Sequence, residues 1–335
     1  MRRLAPTLTF VLALALSVVP HAPSHAQDTT TRTLSFATLA PPGSLIMRGL
    51  EAWNRELRRR TTQGLQLRFY GGGVQGDEPE VIRKIRGGRL DAGGVTSTGL
   101  AQIHRPALVF QLPGTFRTYE QIERAREALA PEVEQGMIGQ GFRMMAWADV
   151  GQARLFSTRE IHAPSDLAAC RFWVRNDDII LPALFQEVRT TTVPLSVPEV
   201  LGALQTHRID TFLAPPAVAT ALQWGAHATH MSDMPLAILV GGSVISERVF
   251  QTLAAEQQQI LLETARQFHG LARRNAERSE REAIDALVSH GMRVVNATPA
   301  DIAAWRSLGA RVRARVASQI ASPDLIARAA AFGER

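Results

Sequence analysis

The sequence of 335 residues contains a single cysteine, Cys170, and a single lysine, Lys84. One cysteine excludes an intrachain disulfide and a metal site built from several thiolates. Because Cys170 lies in an apolar stretch, we expect its side chain to be buried and unreactive. The other basic residues are arginines, yet the formal net charge is only +6 because acidic residues are interspersed among them. A chain without a clustered basic face is not typical of nucleic-acid-binding proteins.

No run of apolar residues is long enough for a membrane-spanning helix, which needs about 20 residues. The segment Leu8–Val19 is mostly apolar, follows a positively charged start, and precedes small residues at Ser24 and Ala26. This order is typical of a secretory signal peptide. We therefore expect residues 1–26 to be removed near Ala26, leaving a soluble, exported protein that begins at Gln27.

Two common catalytic signatures, HExxH and GxSxG, are missing from the sequence. His227 and His230 are three residues apart, but no third ligand or general base accompanies them, so we expect no metal there. Gly71, Gly73 and Gly76 match the letters of the dinucleotide fingerprint, but the acidic residue that should follow is missing. We interpret the glycines as a turn onto a capped helix. No cofactor is predicted, and the chain is not expected to be an enzyme.

Strands and helices alternate along the chain, which favours a parallel sheet covered by helices. Ser44 and Asp77 are N-cap residues at the start of two predicted helices. From 255 to 290 the sequence lacks proline and predicts one long helix. Predicted strands occupy 33–39, 65–70, 90–96, 142–148, 152–157, 172–174, 190–193, 209–213 and 235–245. Further helices are predicted at 119–135, 179–186, 197–206, 299–318 and 323–332.

Several segments, in order, resemble the DctP-like periplasmic solute-binding proteins of tripartite ATP-independent periplasmic (TRAP) transporters. The most specific match is to the family signature EVYxALQxGxxD, at Pro198–Val200, Ala203–Thr206 and Ile209–Asp210. Supporting matches lie at Leu39–Gly43, Gly76–Glu78, Gly88–Asp91, Ala163–Leu167 and Leu253–Gln257. The similarity extends in order over nearly all of residues 32–290.

The resemblance implies an α/β protein with a two-domain periplasmic-binding-protein fold, an interdomain cleft and a long bridging helix. Domain I would comprise 27–152 plus about 240–280. Domain II would comprise 153–239 plus about 281–335. The cleft would close around a small organic ligand, which membrane permease subunits would then receive.

The resemblance also implies a binding site that differs from the family pattern. Trp173 occupies the position of the arginine that binds the ligand's carboxylate in the family. Arg154 matches a second family arginine, and Asn176 matches a polar site residue. If the strand continues to Arg175, that residue would share a face with Trp173 and could replace the missing arginine. The family's asparagine aligns with Ala214.

The predicted lining of the cleft is completed by Asp77, Thr96, Phe212 and Trp224. Since a tryptophan buries a large apolar area, the exchange at Trp173 favours an apolar or amphipathic monocarboxylate. The alternatives are a small dicarboxylate or keto acid, or a Trp173 that serves only core packing. An exported enzyme with a dispersed active site and a scaffold or sensor of the same fold also stay open.

Overall fold

Ten strands form one continuous sheet in the computed structural model, which describes residues 31–334. The strands are β1 (Arg32–Thr38), β2 (Leu65–Tyr70), β3 (Ala92–Thr96), β4 (Phe142–Ser157), β5 (Arg171–Val174), β6 (Thr191–Pro194), β7 (Thr211–Ala214), β8 (His230–Ser232), β9 (Ala237–Ser246) and β10 (Arg293–Val295). Their order across the sheet is β2-β1-β3-β9-β4-β7-β5-β6, with β8 beside β4 and β10 beside β8. The predicted signal peptide, 1–26, lies outside the described residues.

Helices cover the sheet, and none within residues 31–334 has both the length and the apolar character needed to cross a bilayer. They are α1 (Leu45–Arg60), α2 (Glu78–Arg86), α3 (Ser97–Ile103), α4 (Tyr119–Gly139), α5 (Ile180–Val188), α6 (Val200–Gln205), α7 (Pro216–Ala221), α8 (Glu247–Gln251), α9 (Ala255–Arg274), α10 (Ala276–Ser289), α11 (Pro299–Ile320) and α12 (Pro323–Gly333). Short 3₁₀ segments lie at Arg105–Gln111, Pro164–Ala169, Val197–Glu199 and Gly225–His227.

The predicted βαβαβ unit at the start of the described chain is confirmed, because β1 pairs in parallel with both β2 and β3. The Ser44 hydroxyl caps α1 by accepting from the amide of Met47. Trp53 and Leu57 on that helix are buried. Asp77 caps α2, although its carboxylate accepts from the adjacent amide of Glu78 rather than from the third residue of the helix.

A long antiparallel pair, β4 and β9, forms the middle of the sheet. We predicted two strands in place of β4, which is wrong. The strand runs unbroken from Phe142 to Ser157 with irregular register at Met144/Ala146 and Asp149/Gly151. Each bulge shifts the alternation of side chains, so the sequence pattern looks interrupted where the strand only bends.

The predicted helix over 255–290 is confirmed as helical but is divided into α9 and α10 at Asn275. The Asn275 side-chain amide donates to the carbonyl of Leu271, which competes with the regular helix bonds at this point. α9 packs against α1 and β4, whereas α10 packs against α7. The short strands β8 and β10 were not predicted, since three residues give too little alternation to detect.

Candidate functional site

Register places three of the predicted ligand-contacting residues, Arg154, Trp173 and Phe212, on one face of the sheet. Arg154 of β4 lies opposite Ala214 of β7, two residues along from the pair of Phe156 and Phe212. Because alternate residues of a strand share a face, these four side chains project to the same side. Trp173 of β5 projects to the same side, because Phe172 pairs with Thr211, the residue before Phe212.

Aromatic side chains fill the centre of this face and form what we call the aromatic cluster: Phe156, Trp173, Phe212 and Trp224. The rings of Trp173 and Trp224 meet edge to face with centroids 5.0 Å apart, and Phe212 lies 5.6 Å from Trp224. Trp173 is 7% exposed and Trp224 is 3% exposed. The Trp173 indole donates to the carbonyl oxygen of Leu195 at 3.1 Å, which fixes the plane of the ring.

Arg175 lies just beyond the end of β5 and is surrounded by carboxylates. Its Nε donates to Asp177 at 3.1 Å, and its Nη2 lies 3.3 Å from Asp77 and 3.4 Å from Glu78. Burial alone would lower the pKa of Arg175, but the negative charges of Glu78, Asp77 and Asp177 raise it above its usual range. The guanidinium is therefore charged and already neutralised within the chain.

Glu78 is the most buried member of this group, with 2% of its surface exposed. One carboxylate oxygen accepts from the backbone amide of Thr96 at 2.9 Å. The other accepts from the Thr96 hydroxyl at 2.7 Å and from the amide of Gly99 at 3.0 Å. Burial raises the pKa of Glu78, while Arg175 and the Thr96 donors oppose that shift.

The loop that follows β2 touches the loops that follow β5 and β6. Asp77 accepts from the backbone amide of Val197 at 2.9 Å, in addition to its contact with Arg175. Gly73 has a φ of +73°, and a Cβ built there would lie 3.2 Å from Pro198. Glycine suits both the left-handed conformation and the close approach.

Arg154 is also paired within the chain. Its Nη1 donates to the carbonyl oxygens of Ser232 and Asp233, and its Nη2 donates to Glu280 of α10 at 3.2 Å. Burial raises the pKa of Glu280, and the interaction with Arg154 opposes that shift. Arg154 and Glu280 are both mostly buried.

A polar cavity of about 260 Å³ lies beside the Arg175 group, with Asp177 in its wall. The side formed by α3 and the following 3₁₀ segment contributes an exposed arginine, Arg105, and several polar side chains. The opposite side is the start of α5. The lining residues are Thr98, Ala101, Gln102, Arg105, Leu108, Gln111, Asp177, Asp178, Ile179 and Ile180.

The structure groups the predicted site residues in two clusters and leaves two apart. Asp77, Thr96 and Arg175 meet around Glu78, and Trp173, Phe212 and Trp224 form the aromatic cluster with Phe156. Arg154 lies on the face of that cluster but pairs with α10. Asn176 is exposed in the loop after Arg175.

Sequence reasoning missed the contacts of Glu78 and Glu280. Glu78 begins α2, where the helix dipole favours a carboxylate, so its sequence position does not suggest the buried bonds to Thr96. No local signal marks Glu280, which lies 126 positions from Arg154.

Across residues 31–334, no three His, Cys, Asp or Glu side chains are placed to hold a metal ion. Cys170 is buried, as predicted.

A family model for DctP, described as bacterial extracellular solute-binding protein family 7, matches residues 36–319. The 2,3-diketo-L-gulonate-binding periplasmic protein of Escherichia coli strain K12 is 23% identical over 250 residues, or 72% of this chain and 74% of the relative. A solute-binding protein of Verminephrobacter eiseniae is 23% identical over 276 residues, covering 81% of this chain and 80% of the relative.

Solved structures show the same fold. A Bordetella pertussis extracytoplasmic solute receptor that binds pyroglutamic acid superposes with a TM-score of 0.84 at 19% identity, covering 91% of this chain and 100% of that one. A sugar acid binding protein from Advenella mimigardefordensis, in complex with galactonate, gives a TM-score of 0.85 at 14% identity, covering 91% and 98%. Since the family model spans most of the sequence, this chain belongs to the DctP family, bacterial extracellular solute-binding proteins of family 7.

Proposed function

We propose that this protein is the periplasmic receptor of a TRAP-type transporter and that its ligand is an apolar or amphipathic monocarboxylate. The family consists of solute-binding proteins rather than enzymes. In this proposal the two domains divide as the sequence predicts, with 27–152 and about 240–280 in one and the remainder of the mature chain in the other. Membrane permease subunits receive the ligand.

The observation that carries the ligand class is the aromatic cluster beside a single arginine of the same face. By the family resemblance, Trp173 would stand at the position of the carboxylate-binding arginine, and its indole presents one donor that is already used by Leu195. The ring can therefore offer a ligand only apolar contact. Apolar surface is stabilised by contact with an apolar ligand body, which favours a ligand with a hydrocarbon or aromatic portion.

Arg154 would meet the acidic group of such a ligand. It lies on the same sheet face as Trp173, and guanidinium groups bind carboxylates with two parallel hydrogen bonds. Arg175 is less suited to this role, because three carboxylates of the chain already surround it. A ligand with one acidic group accordingly fits better than one with two.

A small dicarboxylate or keto acid is the second candidate, and the relatives favour it. The E. coli relative is named for 2,3-diketo-L-gulonate, and a structural neighbour from Shewanella oneidensis contains bound succinate. Such a ligand would need Arg175 as a second cation. It would have to displace Asp77 or Asp177 from that guanidinium, which costs a buried, charge-assisted contact.

Capture would proceed by closure of the two domains, as differential affinity for the closed state shifts the equilibrium. The contacts of Asp77 with Val197 and Arg175 join loops that belong to different domains in this division. These contacts would form on closure and break on release. The ligand then needs to supply only part of the free energy of closure.

The test is mass spectrometry of an organic extract from protein purified natively from a periplasm. A stoichiometric compound with one carboxylate and an apolar body is the expected result. A small dicarboxylate would refute the apolar ligand class, and product formation on incubation would refute the receptor assignment. The intact mass of the same sample should correspond to a chain that begins at Gln27.

Trp173→Arg tests the role of the indole, with Trp305→Arg as the matched control. Trp305 lies on α11, outside the aromatic cluster, and its indole donates to the carbonyl of His162. The first variant should lose the apolar ligand and gain affinity for succinate. The control should bind the extracted compound as the unmodified protein does. Equal loss in both variants would mean that the effect of Trp173→Arg is not specific to the cleft.

A further inference from the structure

Arg154 uses only part of its guanidinium for hydrogen bonding. Nη1 serves the carbonyl groups of Ser232 and Asp233, and Nη2 donates to Glu280 Oε1 at 3.2 Å. Nε is buried and has no hydrogen-bond partner among residues 31–334. A buried donor without an acceptor is unfavourable, so the edge formed by Nε and Nη2 is suited to a further acceptor.

Another arginine of this chain shows what a fully occupied edge looks like. Nε and Nη2 of Arg143 each donate to Glu247 at 2.7 Å, one to each carboxylate oxygen. Such paired bonds are the stronger arrangement. Arg154 and Glu280, by contrast, share one longer bond, so Glu280 neutralises the charge of Arg154 without occupying its edge.

We propose that Glu280 is an exchangeable partner of Arg154. The acidic group of the ligand binds the Nε–Nη2 edge with two hydrogen bonds, and the Glu280 carboxylate is displaced from Nη2. Glu280 is then a specificity-determining residue, because a ligand must bind Arg154 better than one internal carboxylate does. The inference rests on the proposed function, since it requires an acidic ligand that reaches Arg154.

The surroundings of Glu280 favour its displacement in the neutral form. Burial raises the pKa of Glu280, and Arg154, the backbone amide of Gln152 and the Tyr119 hydroxyl oppose that shift. Asp149 of β4 is a further charge near Tyr119, Arg273 is the nearby cation of α9, and the sequence of α7 carries no charged residue. When the ligand displaces Glu280 from Arg154, the pKa of Glu280 should rise further. Ligand binding is therefore expected to be accompanied by uptake of a proton.

The test compares the unmodified protein with Glu280→Gln by calorimetric titration with octanoate, succinate and the neutral analogue octanamide. Glutamine keeps the size of the side chain and removes its charge. Glu280→Gln should bind at least one of the two acids about tenfold more tightly, the size of one charge-assisted hydrogen bond. Octanamide binding should not change. Glu247→Gln, which unpairs Arg143 instead, is the matched control and should leave acid binding unchanged.

Two further measurements separate exchange from a merely structural effect. The gain should disappear in the double variant Arg154→Gln/Glu280→Gln. Titrations in buffers of different ionisation enthalpy should show proton uptake for the unmodified protein and none for Glu280→Gln. Unchanged or weaker acid binding by Glu280→Gln, or none by either protein, would overturn the proposal. The extract experiment judges the proposed function separately, since a neutral native ligand would refute it whatever the titrations show.

Discussion

Replacing Arg175 by methionine removes one positive charge from among three carboxylates. Methionine is unbranched and flexible, so it fills most of the space of the arginine stem. It cannot replace the ion pairs of the guanidinium with Asp77, Glu78 and Asp177, at 3.3, 3.4 and 3.1 Å. The free energy of unfolding should fall by about 3–5 kcal/mol at pH 7.5, the usual cost of leaving buried charges without their partner.

The destabilisation should depend on pH, with a direction fixed by Glu78. The folded-state pKa of Glu78 is already raised above 4.5, and removing Arg175 raises it further. A raised carboxyl pKa contributes stability that is present below the unfolded-state pKa and is lost as pH rises through the folded-state pKa. The loss of unfolding free energy in Arg175→Met should therefore be smaller at pH 5 than at pH 7.5.

Urea denaturation followed by circular dichroism at both pH values measures the effect. Arg311→Met is the matched control, because it breaks an ion pair with Glu187 in which the arginine side chain is 54% exposed. Such surface pairs contribute about 0–1 kcal/mol. A destabilisation by Arg175→Met no larger than that of the control, or an equal deficit at both pH values, would refute the reasoning.

Three other substitutions test the fold around the site, each by urea denaturation. Gly241→Ala should cost about 3 kcal/mol or more, because a Cβ there would collide with the Val95 carbonyl oxygen across the β3–β9 pair; a neutral result would contradict this packing. Trp173→Phe should cost about 1–3 kcal/mol, since the Leu195 carbonyl loses its donor; unchanged stability would mean the bond contributes nothing. Burial lowers the pKa of His269 from 6.5 to about 4. The neutral imidazole therefore contributes to the free energy of unfolding above pH 6.5, and this contribution is lost as the pH falls to about 4. His269→Gln should therefore lose about 3 kcal/mol of that pH dependence, and a parallel pH profile would disagree.

The elements that local chemistry specifies were predictable from the sequence. Ser44 and Asp77 mark two helix starts by their capping side chains, and the helices lie where these residues place them. The parallel order of the first three strands follows from their alternation with helices. The division of the long helix at Asn275 was not predictable, because it depends on a side-chain bond and not on a proline or glycine.

The candidate site was predictable only in its apolar part. The resemblance on the strand after Ala163–Leu167 singles out Trp173, whereas the strand face it was expected to share with Arg175 is not formed, because β5 ends at Val174. The partners of the arginines come from distant positions: Glu78 lies on α2 and Glu280 on α10. Tertiary packing alone decides which carboxylate reaches which guanidinium, so charge patterning along the chain could not reveal it.

The two arginines differ in how firmly the chain holds their carboxylate partners. Glu78 also accepts from the Thr96 amide and hydroxyl, so leaving Arg175 would not free it to move. Asp77 likewise caps α2 while it binds Arg175. Removing these carboxylates from Arg175 would therefore disrupt helix starts and loop contacts as well as the ion pairs.

Glu280 holds Arg154 by one bond of 3.2 Å. Its carboxylate also meets the Gln152 backbone amide and the Tyr119 hydroxyl, but it lies in the interior of α10, where it caps no helix. Releasing Glu280 therefore disturbs less of the fold than releasing Glu78 or Asp77. If an acidic ligand binds to this face, the exchange that costs less free energy takes place at Arg154. The carboxylates around Arg175 then continue to hold the loops together. The site therefore accepts a ligand with one acidic group.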